Sequence, residues 1–255
     1  HAPESVPVDV TPSLLARLGE TEYARVVDPA FLRKGRCGDA YRRPDFPDRH
    51  DGNQLVRARC RAGAVVEEVE AHFGGSGLGY RRVSGHDPGI WHGLAPDLEA
   101  RGWTVAPEAM KVFRGRGDVA ACAKLEIRAV DPWSPDLEAL YTRDGSLDRG
   151  FVFERGEHGR VGGEHLVGYH GGEPVTCTGW FAAGGVARYR HVYTRPGWRG
   201  RGFASAMVRH VQRLPAVRAK DALVIFVGED GPDALYERLG FETAGWFWSA
   251  LLKVG

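Results

Sequence analysis

The stretch "YTRPGWRGRGFASAMVRHV", residues 193–211, decides how this chain is interpreted. Three arginines and three glycines fall within residues 195–202, and an apolar, helix-forming run follows them. Phe203, Met207 and Val211 recur at helical spacing, which predicts an amphipathic helix. A glycine-rich, positively charged turn therefore opens a helix.

That turn has the chemistry of an anion site. The first N–H groups of a helix lack intrahelical partners, and the helix dipole favours negative charge there. Gly200 and Gly202 would let a bulky oxyanion approach the backbone, while Arg195, Arg199 and Arg201 add charge-assisted donors. The glycine spacing fits neither a dinucleotide fingerprint nor a P-loop. We expect a phosphorylated ligand.

In the second half of the chain, predicted strands, glycine turns and helices alternate regularly around this turn. Residues 164–196 predict three antiparallel strands joined by glycine turns at 170–172 and 183–185. The apolar run "ALVIFV", residues 222–227, is typical of a buried strand. A short helix within "PDALYERLGF", residues 232–241, ends at a glycine before a last strand.

Two of these segments carry a family resemblance. "RGRGFA", residues 199–204, resembles the acyl-CoA-binding motif Arg/Gln-x-x-Gly-x-Gly/Ala of the GNAT superfamily of N-acetyltransferases. "LYERLGF", residues 235–241, resembles the family's Leu-Tyr-x-x-x-Gly-Phe signature. The resemblance covers residues 123–255. It implies an α/β (α+β) fold with a mixed, mostly antiparallel twisted sheet flanked by helices.

The resemblance also implies a cosubstrate, acetyl-CoA or another acyl-CoA, and no metal. The strand ending at Thr194 would splay from the "ALVIFV" strand, and the cofactor would lie in the resulting V. Its pantetheine arm would pair with the backbone of that strand, and its pyrophosphate would lie on the turn. The expected cofactor-binding residues are Val192, Tyr193, Thr194, Arg199, Gly200, Arg201, Gly202, Phe203 and Ala204.

Tyr236 stands where the family often keeps the tyrosine that protonates the departing thiolate. His191 is the only ordinary base on the strand before the turn, where the family often has a Glu or His. Alternation places Arg188 and Arg190 on one face and Tyr189 and His191 on the other, although a bulge would change this. Either His191 is the base, or the arginines face an acceptor that carries a carboxylate or phosphate. Fallback bases are Glu164, His165 and His170.

The expected function is transfer of an acetyl group to a primary amine of a small molecule, by direct attack in a ternary complex. One alternative is a non-catalytic CoA-binding regulatory module, which the lack of an obvious base favours. Another alternative is a protein or peptide N-acetyltransferase. The protein is expected to be a monomer or a homodimer.

The first half of the chain carries a weaker echo of the same signature. "APDLEARGWTVA", residues 95–106, shares with residues 232–244 a Pro-Asp start, a glycine and a following aromatic residue. No CoA motif precedes it, and Leu98 stands in place of the tyrosine. We predict tandem GNAT-like lobes, a degenerate one in residues 1–117 without a CoA site and a catalytic one in 118–255.

Composition restricts the other possibilities. The net charge of +1 argues against a general nucleic-acid partner. No apolar run approaches the length of a membrane span, and no signal-peptide pattern opens the chain, so the expected location is cytoplasmic. The scattered cysteines show no metal-binding spacing and are interpreted as reduced thiols: Cys37, Cys60, Cys122 and Cys177.

Overall fold

The computed structural model describes residues 9–115, 125–143, 146–147 and 149–254. The chain forms two compact units. The N-terminal unit contains residues 12–110, 227–231 and 245 onward, and the C-terminal unit is built mainly from residues 111–226 and 232–244. The expected boundary at residue 117 lies outside the described residues.

The elements of the first part of the chain are α1 (Pro12–Val26), β1 (Leu32–Lys34), β2 (Asp39–Arg42), β3 (Asn53–Val56), α2 (Ala62–Phe73), β4 (Tyr80–Gly85), α3 (Pro88–Glu99) and β5 (Thr104–Phe113). Those that follow are β6 (Glu126–Val130), α4 (Pro135–Tyr141), β7 (Thr142–Arg143), β8 (Ser146–Leu147), α5 (Arg149–Val161), β9 (Glu164–His170), β10 (Glu173–Ala183), β11 (Val186–Tyr189), β12 (Tyr193–Thr194), α6 (Phe203–Arg213), α7 (Pro215–Arg218), β13 (Ala222–Gly228), α8 (Asp233–Arg238) and β14 (Phe241–Lys253).

In the N-terminal unit the strands follow the order β1-β2-β3-β4, and β4 pairs antiparallel with the later part of β14. The β3–β4 pair is parallel. The core of the N-terminal unit includes the buried Trp103 and Trp91, and Trp91 stacks on Trp248 with ring centroids 6.0 Å apart. Helix α2 adds an apolar face at helical spacing, as its sequence predicts.

The pair Pro96-Asp97 predicts a short helix that begins at Pro96 and ends at Gly102. Helix α3 begins eight residues earlier, at Pro88. The carboxylate of Asp87 accepts a hydrogen bond from the N–H of Gly89 at 2.8 Å, and Pro88 occupies the first helical position. A capping aspartate followed by proline is itself a helix start signal. The prediction was wrong because it used Pro96 as the start, whereas the helix includes that residue.

The N-terminal unit also corrects the interpretation of the cysteines. Cys37 and Cys60 form a disulfide, with their Cα atoms 5.0 Å apart. The pairing joins the loop before β2 to the segment before α2, and two positions 23 residues apart give no local spacing signal. Cys177 is free and buried.

The C-terminal unit has the strand order β6-β9-β10-β11-β13. The β9–β10–β11 meander is antiparallel, as predicted, and β11 pairs in parallel with β13. One face of the sheet packs on α4 and α5 through an apolar cluster of Leu137, Leu140, Phe151, Val167, Tyr169 and Cys177. The other face packs on α6. The predicted fold class, mixed and mostly antiparallel with flanking helices, is confirmed.

Candidate active site

A β-bulge interrupts the strand before the arginine-glycine turn. The N–H of Arg190 donates to Gly179 O at 2.8 Å, and Tyr193 pairs with Cys177. Between these two pairings the bulged strand advances three residues, from 190 to 193, whereas β10 covers only two, from 179 to 177. One extra residue is therefore inserted in the bulged strand. Among the described residues, the N–H of Val192 has no hydrogen-bond partner. The bulge therefore leaves a backbone donor available at this point.

The same segment separates from β13. The parallel register of β11 and β13 ends at the pair Arg188–Val224, although β13 continues to Gly228. Beyond the bulge, and within the described residues, β12 pairs only with β10. Thr176 holds β12 in place, because its Oγ1 donates to Tyr193 O at 2.7 Å. The two strands thus diverge immediately before the turn.

The turn itself uses two left-handed glycines. A short 3-10 turn, Pro196–Trp198, leads to Gly200 with φ 75° and Gly202 with φ 78°. Gly202 is the N-cap of α6, and the first backward bond runs from Ala206 N to Gly202 O at 3.0 Å. The N–H groups of residues 203–205 lie in the first turn, without intrahelical partners. A Cβ added at Gly200 would have nothing within 4 Å.

Aromatic rings support the turn from below. Phe203 is buried, and its ring centroid lies 5.4 Å from His170 and 6.1 Å from Trp198. His170 also contacts Trp198 edge-on at 5.3 Å. The guanidinium of Arg201 lies over the Trp198 ring at 4.7 Å. His170, a fallback base in the sequence interpretation, packs against these aromatic rings.

The three arginines of the turn differ in their surroundings. Arg195 is engaged by Glu173, with Nη1 2.7 Å from Oε1. Arg199 is exposed, and its Nε donates to Thr194 O at 3.1 Å. Arg201 is exposed as well. Arg199 and Arg201 therefore remain as the cations that could reach an anion at the turn.

Tyr236 lies in α8 with its ring buried against Phe241, centroids 6.0 Å apart. Phe241 in turn contacts Tyr189, the last residue of β11, at 5.9 Å. Tyr189 O–H donates to Val208 O of α6, so this aromatic cluster lies on the α6 face of the sheet. Burial raises the pKa of Tyr236 to about 12. The phenol is therefore protonated at neutral pH.

His191 lies on the opposite face. Its ring meets Tyr141 of α4 edge-on, with centroids 5.5 Å apart, and its side chain is exposed. Alternation alone would place His191 beside Tyr189 on the α6 face. The bulge moves it to the α4 face.

Arg188 of β11 and Arg190 at the bulge lie on that face as well. Arg188 is 5% exposed with its guanidinium 3.8 Å from the Phe226 ring centroid. Arg190 is 6% exposed, lies 5.1 Å from the Phe181 ring centroid, and donates to Gly162 O. The sequence interpretation left two alternatives open, with either the arginines or His191 facing the site. The bulge puts all three on one face.

The comparisons with known proteins agree with this geometry. The family described as acetyltransferase (GNAT) domain matches residues 161–243. This range includes the bulge, the turn and α8. The chain contains a GNAT acetyltransferase domain.

Solved structures share the fold of nearly the whole chain. A GCN5-related N-acetyltransferase from Kribbella flavida is 17% identical and has a TM-score of 0.69, over 95% of this chain and 96% of that one. A functionally unknown conserved protein from Staphylococcus epidermidis is 15% identical, with a TM-score of 0.64 over 87% and 93%. At these identities the likeness concerns the fold alone. No curated protein matches the chain significantly.

The sequence interpretation missed one residue of the C-terminal unit, Lys111. This lysine is 1% exposed, and its Nζ lies 2.7 Å from Asp233 Oδ1 and 3.3 Å from Glu237 Oε1. Both carboxylates flank Tyr236 on α8. Asp233 and Glu237 recur with helical spacing, but no local pattern could pair them with a lysine more than 120 residues earlier. Lys111 is a positioning residue for α8.

The other fallback bases are engaged. Glu164 Oε2 accepts from Trp180 Nε1 at 2.8 Å, and His165 is buried in β9. Burial raises the pKa of the Cys177 thiol to about 12, which makes it a poor nucleophile in the GNAT domain. Among the described residues, no His, Cys, Asp and Glu cluster could hold a metal, and no described helix is long and apolar enough to cross a membrane.

Proposed function

We propose that this protein is an acyl-CoA-dependent N-acyltransferase that moves acetyl from acetyl-CoA to a primary amine of a small molecule. The observation that carries the proposal is the divergence of β12 from β13 immediately before a helix start built on two left-handed glycines. A cofactor with a pyrophosphate and an extended, amide-bearing arm suits both features.

In this proposal the pyrophosphate binds the N–H groups of residues 203–205, with Arg199 and Arg201 as additional donors. The pantetheine amides pair with the backbone edge of Val192 to Thr194. The N–H of Val192 stabilises the oxyanion that develops on the thioester carbonyl. Most of the rate comes from holding amine and thioester together.

The acid and the base act from opposite faces of the strand. Tyr236, on the α6 face, donates its proton to the departing thiolate. His191, on the α4 face, accepts a proton from the attacking amine, directly or through water. Amine attack forms the C–N bond and breaks the C–S bond, so no covalent enzyme intermediate is needed. The buried Cys177 thiol supports this direct route.

The acceptor amine carries a carboxylate or phosphate. Support comes from Arg188 and Arg190, whose guanidiniums lie on the same face as His191 and stack on Phe226 and Phe181. Stacking restrains each guanidinium, and a preorganised guanidinium suits recognition of planar anions. An acceptor approaching from the α4 face would meet both groups.

The test is a calorimetric titration with acetyl-CoA of the wild type and of two variants at Gly200. Asn and Asp both tolerate a left-handed conformation and have nearly the same size, so they differ mainly in charge. Gly200→Asp should weaken binding at least tenfold more than Gly200→Asn. Equal affinities would overturn the assignment of the pyrophosphate to this turn.

The competing function is a CoA-binding module without catalysis, which the solvent exposure of His191 favours. A screen of amines with and without a carboxylate, following release of free CoA thiol, separates the two. Turnover favouring carboxylate-bearing amines is expected. Tight acetyl-CoA binding with no turnover on any amine would favour the regulatory module.

A further inference from the structure

The N-terminal unit contains a cleft with no role in the proposed reaction. It has a volume of about 460 Å³ and lies between the β1–β2 hairpin and the C-terminal end of α2. This volume is within the range of small-molecule pockets.

One face of the hairpin builds one wall. The register Leu32–Tyr41 and Arg33–Ala40 places Arg33 and Ala40 on this face. Phe31 lies two residues from Arg33 and Arg42 two residues from Ala40, so both extend the same face. All four residues line the cleft. Because side chains alternate along each strand, Arg33 and Arg42 lie on the same face as Ala40 and are diagonal neighbours.

The opposite wall is apolar with one polar side chain. Phe73 is buried and forms the base, and His72 beside it offers a ring nitrogen. Phe31, by contrast, is 41% exposed at the rim. The guanidinium of Arg43 lies 4.9 Å from the Phe31 ring centroid and holds that ring in place. An exposed aromatic ring over an apolar base suits a flat organic group.

The charges of the cleft are uncompensated. Within the part of the chain that the structure describes, the exposed guanidinium groups of Arg33 and Arg42 have no hydrogen-bond or ion-pair partner, and the cleft lining contains no acidic residue. Arg43, by contrast, pairs with Asp45 at 2.8 Å. Like charges that are diagonal neighbours on a sheet face lie about 7 Å apart and repel each other. A bound anion would relieve that repulsion.

We infer that this cleft binds a small organic anion, a carboxylate or phosphate monoester with a flat apolar body. The oxyanion lies between Arg33 and Arg42, and the apolar body rests between Phe31 and Phe73. Guanidinium groups bind both head groups through paired N–H donors. The inference does not depend on the proposed acyltransferase reaction.

Calorimetric titrations of the full chain with benzoate, phenyl phosphate, benzyl alcohol and inorganic phosphate test it. At least one of the two aromatic anions should bind with a Kd of about 1 mM or below, at least tenfold tighter than benzyl alcohol and inorganic phosphate. The double variant Arg33→Gln/Arg42→Gln should weaken that binding at least tenfold. Arg101→Gln, an exposed arginine outside the cleft, is the matched control and should change nothing.

The turn at Gly200 is a second place where phosphate could bind. The titrations are therefore repeated with the Gly200→Asp variant, which should leave binding in the cleft unchanged. Binding lost in Gly200→Asp and retained in Arg33→Gln/Arg42→Gln would overturn the inference. The inference would also be overturned if neither aromatic anion bound more tightly than inorganic phosphate, or if neither bound at all.

Discussion

Tyr236 shows how burial prepares a single side chain for its proposed role. Removal of its phenol from water disfavours the charged form and raises the pKa to about 12. The group therefore holds its proton across the whole working range of pH. A developing thiolate beside it would receive a hydrogen bond from a donor that is always protonated.

We expect Tyr236→Phe to lower kcat about 100-fold, in the range typical of a lost general acid. The Kd for acetyl-CoA should stay within about twofold, because the ring and its packing on Phe241 are retained. Steady-state kinetics and calorimetry measure the two quantities. Tyr169→Phe, which removes a hydroxyl bonded to Asp136 elsewhere in the same unit, is the control. An unchanged kcat would remove Tyr236 from the mechanism.

At the scale of elements, α8 has only six residues and depends on Lys111 for its position. The buried ammonium of Lys111 is compensated by two carboxylates that are themselves more than half exposed. Removing both carboxylates would leave a buried, unpaired charge, whereas removing the lysine would leave two solvated ones. The two kinds of variant should therefore behave differently.

Asp233→Asn/Glu237→Gln should lower the free energy of unfolding by about 2 kcal/mol, less than for a fully buried pair because the carboxylates are partly solvated. Lys111→Met should cost less than about 1 kcal/mol. Urea unfolding measures both. In each case kcat should fall more than acetyl-CoA affinity, because Tyr236 moves while the turn does not. Equal destabilisation by the two variants would contradict the buried-charge argument.

The Cys37–Cys60 disulfide gives a second prediction about an element. It closes a loop of about 23 residues around β2 and β3, and such a crosslink typically contributes about 3 kcal/mol. Cys37→Ala/Cys60→Ala should lower the urea midpoint accordingly, with Cys177→Ala as a control for thiol loss alone. Alkylation of the unfolded, unreduced protein should leave positions 37 and 60 unlabelled. Labelling of both would show that the pair is reduced.

At the scale of the whole molecule, buried acids in both units share one direction of pKa change. Burial raises the pKa of Tyr23 and Tyr189 well above 10, and those of Cys177 and Tyr236 to about 12. Each raised pKa favours the folded state while the group is neutral. That contribution is complete below the unfolded pKa values, 9.0 for the thiol and 10.0 for the phenols, and is lost as pH rises toward the folded values.

The free energy of unfolding should therefore fall between pH 9 and 12, by on the order of 1 kcal/mol per pH unit for each group that titrates. Urea unfolding at several pH values measures the slope. The Cys37→Ala/Cys60→Ala background avoids alkaline cleavage of the disulfide. Adding Tyr236→Phe should reduce the slope above pH 10. A free energy that stays constant up to pH 11 would contradict the burial of these groups.

Local patterns were enough for the motifs of the GNAT domain. The meander, the start of α6 and the short helix α8 were predicted because glycine turns, apolar periodicity and positive-φ glycines act within a few residues. The start of α3 was misplaced although its signal, Asp87 followed by Pro88, is also local. Helix α5 was not predicted, since its glycines and charges give weak apolar periodicity.

The sequence by itself determined the arginine-glycine turn at the start of α6, because backbone freedom and a helix start depend on neighbouring residues alone. Only the tertiary structure decided which face His191 occupies, since a bulge is defined by the register with β10. It also decided that Lys111 holds α8 and that Cys37 meets Cys60, because such pairs depend on the path of the chain between distant residues. Contacts of that kind leave no periodic signal along the sequence.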